Sequence, residues 1–112
     1  MIGYTTLGTN DLPRAAQFYD ALLAEVGASR AMDMGRRIAY AAGEGQPMFG
    51  ICIPEDEKPA TAGNGTMIAL AAENPAAVDK LYAKAIELGA TDAGEPGVRA
   101  DAFYIAYVRD LD

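Results

Sequence analysis

The side chains that could take part in chemistry are tyrosines, arginines, carboxylates and one thiol, because the sequence contains no histidine. A Ser-His-Asp or Cys-His arrangement is therefore excluded, since both need an imidazole as general base. A tyrosine could serve as acid or base, but a phenol with a pKa near 10 is a poor base at neutral pH unless that pKa is shifted. The residue types thus favour a binding site over acid–base catalysis.

The single cysteine, Cys52, lies between Ile51 and Ile53 in a strand-like run. It cannot form a disulfide within the chain, which suits a reducing compartment. A buried structural thiol and a reactive nucleophile both stay open, although a nucleophile would need a basic neighbour and partial exposure. The N-terminus lacks the basic start and apolar stretch of a secretion signal, so we expect a cytoplasmic protein.

Length and charge limit the classes of function. A chain of 112 residues is long enough for one domain with its own core and too short for two, so we expect a single domain, 1–112. The formal net charge of −7 argues against nucleic acid and anionic membranes as partners, because phosphate binding needs a basic surface. No apolar run approaches the roughly 20 residues of a membrane-spanning helix.

An internal repeat organises the chain. The stretch GYTTLGTNDLPRAAQFYDALLAEVGA, which begins at Gly3, aligns with GTMIALAAENPAAVDKLYAKAIELGA, which begins at Gly65. At an offset of 63 residues Tyr4 pairs with Met67 and Tyr19 with Tyr82. Each copy predicts a strand, a capped turn, an amphipathic helix and a glycine stop. We therefore predict two units, about 1–60 and about 64–112.

Both predicted helices have clear ends. In the first copy, apolar residues recur at helical spacing over residues 12–26, and Gly27 follows as the stop. In the second copy, Asn74 is the predicted N-cap, Pro75 the first helical residue and Gly89 the stop. These helices should cover the faces of sheets.

The remaining runs predict strands. Three follow the first helix, ASRAMDM, RRIAYAA and PMFGICI, and they complete a βαβββ unit. The second unit has predicted strands within the apolar run 65–74, near 90–93 and at 103–110, with a glycine-rich turn AGEPG between the last two. The counterpart of PMFGICI would begin where the sequence stops, so we expect the second unit to lack its last strand.

Paired βαβββ units with the opening GYTTLGTNDLPRAAQFYDALLAEVGA and the closing run YVRDLD resemble the vicinal oxygen chelate superfamily. This group contains glyoxalase I, bleomycin-resistance proteins and extradiol dioxygenases. The resemblance covers essentially the whole chain. It implies an α+β fold in which two units curl into a cupped half-barrel, with a divalent metal inside the cup of the enzymes.

The resemblance places the first-strand metal ligands of that family at Tyr4 and Met67. Neither suits a hard or borderline divalent ion, because such ions prefer imidazole or carboxylate, whereas a thioether favours cuprous copper and a phenol stays protonated. The fourth strand of the first unit, around Phe49 and Ile51, supplies no carboxylate. We therefore expect no metal cofactor and no metal-dependent glyoxalase or dioxygenase activity.

The same resemblance suggests which residues line the cup. Tyr4, Met67, Phe49 or its alternate-face neighbours, and Tyr107 on the last strand are the predicted ligand contacts. Arg99, after the AGEPG turn, could hold an anionic group bidentately at the rim. For each residue the alternative is plain packing or a solvated surface.

Three functions stay open. The chain could bind or sequester an aromatic or amphiphilic small molecule without a metal, as bleomycin-resistance members do. It could be a metal-free enzyme that uses tyrosine, or a lyase or dioxygenase with a degenerate site that now serves in assembly. An incomplete second unit would expose strand edge and apolar surface, so we also predict a homodimer.

Overall fold

The structure is a computed structural model that describes residues 1–112, and it is α+β, as predicted. Its elements are β1 (Tyr4–Gly8), α1 (Leu12–Ala24), β2 (Ser29–Asp33), β3 (Arg37–Ala41), β4 (Met48–Cys52), α2 (Pro75–Glu87), β5 (Thr91–Arg99) and β6 (Phe103–Arg109). The chain divides into two compact units, residues 1–67 with Asp112 and residues 68–111. The single-domain interpretation stays a prediction. Neither helix has the length and apolar character that crossing a membrane requires.

The first unit is the βαβββ arrangement that the sequence predicts. Its sheet has the order β1-β4-β3-β2, with β1 parallel to β4 and the other neighbours antiparallel. The helix α1 buries one face against this sheet, because its apolar residues recur three and four apart. The buried residues of the helix are Ala15, Ala16, Phe18, Tyr19, Leu22 and Leu23, and those of β3 and β4 include Ile38, Tyr40 and Ile51.

A side-chain cap and a glycine mark the two ends of α1. The Asp11 carboxylate accepts a hydrogen bond from the Arg14 backbone N–H at 3.1 Å, which satisfies one of the free amides of the first turn. The helix ends at Ala24, two residues before the predicted end, and Gly27 adopts a φ of 74° that a residue with a Cβ rarely takes. The predicted glycine stop is therefore confirmed.

The loop between β1 and α1 is held by two polar side chains. The Asp112 carboxylate accepts hydrogen bonds from the Thr9 hydroxyl at 2.7 Å and from the Asn10 N–H at 3.0 Å. The Asn10 amide pairs with both backbone groups of Ala60, at 2.8 and 3.1 Å. These bonds fix the position of the chain leaving the first unit.

The second unit contains α2 and the antiparallel pair β5 and β6. The predicted N-cap is confirmed, because the Asn74 side chain accepts from the Ala77 N–H at 2.9 Å, with Pro75 as the first helical residue. Gly89, with a φ of 104°, follows the helix as predicted. The strands β5 and β6 correspond to β2 and β3 of the first unit.

The run 66–72, predicted as a strand, forms none. In the first unit β1 has one neighbour in its sheet, β4. The backbone groups of 66–72 make no hydrogen bond in this structure, and extended backbone without a partner is not a strand.

The predicted turn AGEPG is also wrong, because these residues lie inside β5, which is longer than expected and carries two register shifts. A Cβ on Gly94 would lie 3.0 Å from the Tyr107 ring, and one on Gly97 would lie 2.8 Å from the Arg99 guanidinium. The glycines therefore allow close approach of side chains, which is the other common role of glycine in a strand. The turn itself lies at Ala100 and Asp101, both with a φ of 52°.

Candidate functional site

The sheet of the first unit has two faces with different roles. The face against α1 carries Phe49, Ile51, Ile38 and Tyr40. We call the opposite one the distal face, because it lies away from the helix. It carries Tyr4 and Thr6 of β1, Arg37, Ala39 and Ala41 of β3, and Met48, Gly50 and Cys52 of β4, as strand alternation and the pairing register require.

Phe49 lies on the helix side and does not share a face with Tyr4. Its ring centroid lies 4.8 Å from that of Tyr19 on α1 and 6.4 Å from that of Tyr40. Phe49 therefore packs beneath the helix, its alternate-face neighbours Met48 and Cys52 share the distal face with Tyr4, and the ligand contact predicted for this strand stays a prediction. The physical reason is the helix, which needs large apolar rings beneath it.

Tyr4 and Met67 are both largely exposed, at 61% and 69% of their surface. They therefore present a phenol and a thioether to solvent or to a ligand. The other distal-face side chains on β1 and β4, those of Thr6, Met48 and Cys52, add no imidazole or carboxylate. No group of three or more acidic, cysteine or histidine side chains is placed to hold a metal ion. The residues present do not fit the divalent metal that the resemblance implies.

A cavity of about 220 Å³ lies in the first unit where β3 begins and β4 ends. Its walls are Met34, Arg36, Arg37, Cys52, Ile53 and Glu55. The two arginines differ in their contacts. The Arg36 guanidinium donates to the Pro54 carbonyl at 3.0 Å and lies 3.7 Å from the Glu57 carboxylate, so it already has an anionic partner.

Arg37 has no ion-pair partner, and its Nε is buried without a hydrogen-bond acceptor. A buried donor that lacks a partner costs about 1–3 kcal/mol. Arg37 lies opposite Cys52 in the β3–β4 register, so the thiol has a basic neighbour and is half-buried. Sequence reasoning missed Arg37, although alternation along RIAYA places it on the face away from Ile38.

The two predicted site residues of the second unit are engaged in local contacts. The Arg99 Nη2 donates to the Glu95 carbonyl of its own strand at 2.7 Å, so the guanidinium folds back along β5. Tyr107 is half-buried and packs over Gly94, its partner on β5. The structure thus gives both residues a packing role, and their contact with a ligand stays a prediction.

Three other tyrosines are tied to aspartates. Tyr40 donates to Asp20 at 3.0 Å, Tyr82 to Asp92 at 3.0 Å and Tyr104 to Asp79 at 2.7 Å, as the sheet-to-helix and helix-to-strand contacts place them. Burial and then the aspartate raise the pKa of Tyr40 and of Tyr82, whereas for Tyr104 the hydrogen bond to its aspartate is the main cause of a raised pKa.

A general base at neutral pH needs a pKa near 7, so these raised values move the phenols away from that role. The partner of Tyr40 is itself engaged. Arg30 holds the Asp20 carboxylate bidentately at 2.7 and 2.8 Å, and chiefly for that reason the pKa of Asp20 is lowered. This network fastens α1 to β2 and β3.

Comparisons with known proteins agree with this geometry. A model of the Glyoxalase/Bleomycin resistance protein/Dioxygenase superfamily matches residues 1–112. A glyoxalase/bleomycin resistance protein from Albidiferax ferrireducens T118 is 37% identical, with a TM-score of 0.90 over 100% of this chain and 91% of that one. A hypothetical protein from S. aureus is 26% identical, with a TM-score of 0.76 over 100% and 86%.

A lactoylglutathione lyase from Agrobacterium tumefaciens is 21% identical, with a TM-score of 0.64 over 99% of this chain and 86% of that one. This identity is low, so the likeness concerns the fold alone. A search of curated proteins found no match.

Proposed function

Because the chain belongs to the glyoxalase/bleomycin resistance protein/dioxygenase superfamily, we propose that it binds or sequesters an aromatic or amphiphilic small molecule without a metal. The observation that carries this proposal is the chemistry at the family's first-strand ligand positions. There the chain has Tyr4 and Met67, both exposed, and it has no histidine anywhere. A phenol, a thioether and nearby apolar groups suit contact with an aromatic ring, and they are poor ligands for a divalent ion.

The alternative is an enzyme of the lyase or dioxygenase type, either metal-free or with a degenerate metal site. The metal-free enzyme would need a tyrosine with a lowered pKa as its base. The pKa values of Tyr40, Tyr82 and Tyr104 are instead raised, which disfavours this form of the alternative. No side chain with a pKa moved toward neutrality supports acid–base chemistry. The binding function is therefore the better supported of the two.

The proposal includes a homodimer and a cytoplasmic location. Exposed apolar side chains support the dimer, among them Val98 and Phe103 in the second unit together with the unpaired run 66–72. The free thiol of Cys52 suits a reducing compartment.

A thermal-shift screen of aromatic and amphiphilic compounds tests the function. The protein is dialysed against EDTA and screened with and without added Zn²⁺, Ni²⁺, Fe²⁺ or Mn²⁺. We expect apolar aromatic compounds to raise the Tm equally in both conditions, and elemental analysis before dialysis to find no stoichiometric metal. Binding that needs an added ion, or about one metal per chain that survives dialysis, would contradict the proposal.

A further inference from the structure

Arg37 is a cation placed on a ligand-accessible face without an anionic partner. Its Nε is buried and lacks an acceptor, and no aspartate or glutamate forms an ion pair with its guanidinium. Its neighbour Arg36 is instead bound to Glu57 and to the Pro54 carbonyl. Of the two adjacent arginines at this cavity, Arg36 therefore has an anionic partner and Arg37 has none.

The cavity limits the size of that anion. Its volume of about 220 Å³ is below the roughly 300–1,000 Å³ of sites that enclose drug-sized ligands. Its apolar walls are Met34 and Ile53, with the Cys52 thiol beside them. The space therefore accepts one small apolar group next to one anionic group.

The charge of that anion is limited by Glu55, an exposed carboxylate on the same wall, and by the net charge of −7. Both penalise a dianion such as a phosphate monoester more than a single negative charge. A carboxylate also matches the planar guanidinium with two parallel hydrogen bonds.

We infer that the cavity at the β3–β4 end binds the carboxylate of a small aromatic acid through Arg37. This inference goes beyond the proposed function, because it adds a second site: the cavity lies at the Cys52 end of β4, whereas Tyr4 pairs with Met48 at the other end. Its ligand class is aromatic monocarboxylates. The apolar ring contacts Met34 and Ile53, and the carboxylate accepts from the terminal nitrogens of the Arg37 guanidinium, while the buried Nε–H beside them reports the change in its electrostatic surroundings.

The test uses benzoate, the neutral analogue benzyl alcohol and the dianion phenyl phosphate as probes. Binding is followed by two-dimensional NMR of the backbone amides and of the arginine Nε–H groups, at constant ionic strength. We expect benzoate to shift the Arg37 Nε–H and the Cys52 and Ile53 amides, and to bind at least tenfold more tightly than either other probe. Equal affinity for benzoate and benzyl alcohol would overturn the role of Arg37 and leave the aromatic-binding function standing.

Variants separate charge from geometry. Arg37→Gln should weaken benzoate binding at least tenfold and leave benzyl alcohol unaffected, whereas Arg37→Lys should recover part of the loss. The matched control is Arg109→Gln, which changes the net charge equally from β6 of the second unit. Undiminished benzoate binding in Arg37→Gln overturns the inference. If that variant fails to fold, the Arg37 Nε–H shift in the unmodified protein decides. Failure of all three probes, and of the wider screen, overturns the proposed function as well.

Discussion

Tyr40 and Tyr104 show how single residues fasten a strand to the helix above it. Each donates its hydroxyl to an aspartate on the helix of its own unit, Tyr40 to Asp20 and Tyr104 to Asp79. The aspartates are not repeat partners, because the counterpart of Asp20 at the offset of 63 residues is Ala83, one helical turn after Asp79. The two units therefore reach the same contact from different positions, and sequence alignment of the copies does not reveal it.

The acid dependence of stability should report the Asp20 network. The folded-state pKa of Asp20 is lowered from 3.8, so the carboxylate stabilises the fold above that value, and the contribution is lost as the pH falls through the folded pKa. We expect Asp20→Asn to lower the free energy of unfolding at pH 7 by about 0.5–1 kcal/mol, since the pair is 41% exposed on both sides. Urea unfolding at pH 7 and below pH 4 measures this.

The difference between variant and unmodified protein should shrink at the lower pH. Glu44→Gln serves as control, because the Glu44 carboxylate is exposed and makes no hydrogen bond or ion pair. A difference that stays constant with pH would show that the Asp20 charge is not the cause.

The substitution Met67→Lys tests whether Met67 lies on a ligand-binding surface or in the protein core. Met67 is 69% exposed, so an ammonium there stays hydrated, and we expect a change in the free energy of unfolding within about 0.5 kcal/mol. The Tm increase produced by neutral aromatic ligands should disappear, because a charge would lie in their contact surface. Met32→Lys on β2 is the control and should keep that increase. An unfolded Met67→Lys variant would refute the surface position of Met67.

At the scale of elements, the sequence predicted what depends on local pattern and failed where a distant partner decides. Apolar spacing and the Asn74 cap located both helices, and alternation located β2, β3 and β4. The run 66–72 has the composition of a strand, but a strand also needs a hydrogen-bonded neighbour, and none of these residues has one. The site shows the same limit, because the ring that covers Phe49 is that of Tyr19 on another element, and alternation within β4 does not show which face a helix covers.

The parallel pairing of β1 and β4 depends on Gly50. A Cβ at Gly50 would lie 3.0 Å from the Thr6 Cγ2 and 3.2 Å from the Thr5 carbonyl, and the backbone atom cannot move aside without breaking the ladder. We expect Gly50→Ala to destabilise the fold by about 1–3 kcal/mol through overpacking. Gly3→Ala, with no atom within 4 Å of the added Cβ, should be nearly neutral in the same chemical denaturation experiment. Equal effects of the two substitutions would refute the close approach.

At the scale of the whole molecule, the chain leaves a large amount of apolar surface in contact with water. Tyr4, Met67, Val98 and Phe103 are each more than half exposed. Large contiguous apolar patches on a protein surface commonly mark sites of interaction with a ligand or a protein partner. In our proposal a bound ligand covers the exposed side chains of Tyr4 and Met67. A second copy of the chain covers those of Val98 and Phe103.

The homodimer is directly measurable. We expect sedimentation velocity at micromolar concentration to give the mass of two chains of 11.7 kDa, because apolar association supplies the driving force. Val98→Lys with Phe103→Lys should shift the equilibrium to monomer, and Met32→Lys should not. A single species with the mass of one chain would contradict the dimer.

The unpaired run 66–72 also gives the two copies of the repeat different hydrogen-exchange behaviour. In β1, alternate amides bond to β4 and exchange only when that sheet opens, whereas the amides of 66–72 have no acceptor. Exchange at Leu70 should therefore approach the rate of an unstructured peptide, while its repeat partner Leu7 exchanges far more slowly. Mass spectrometry of deuterated peptides would then find that the backbone amides of 66–72 exchange as fast as those of a denatured chain, although the sequence is strand-like. The amides of the sheet in the first unit would stay protected from exchange.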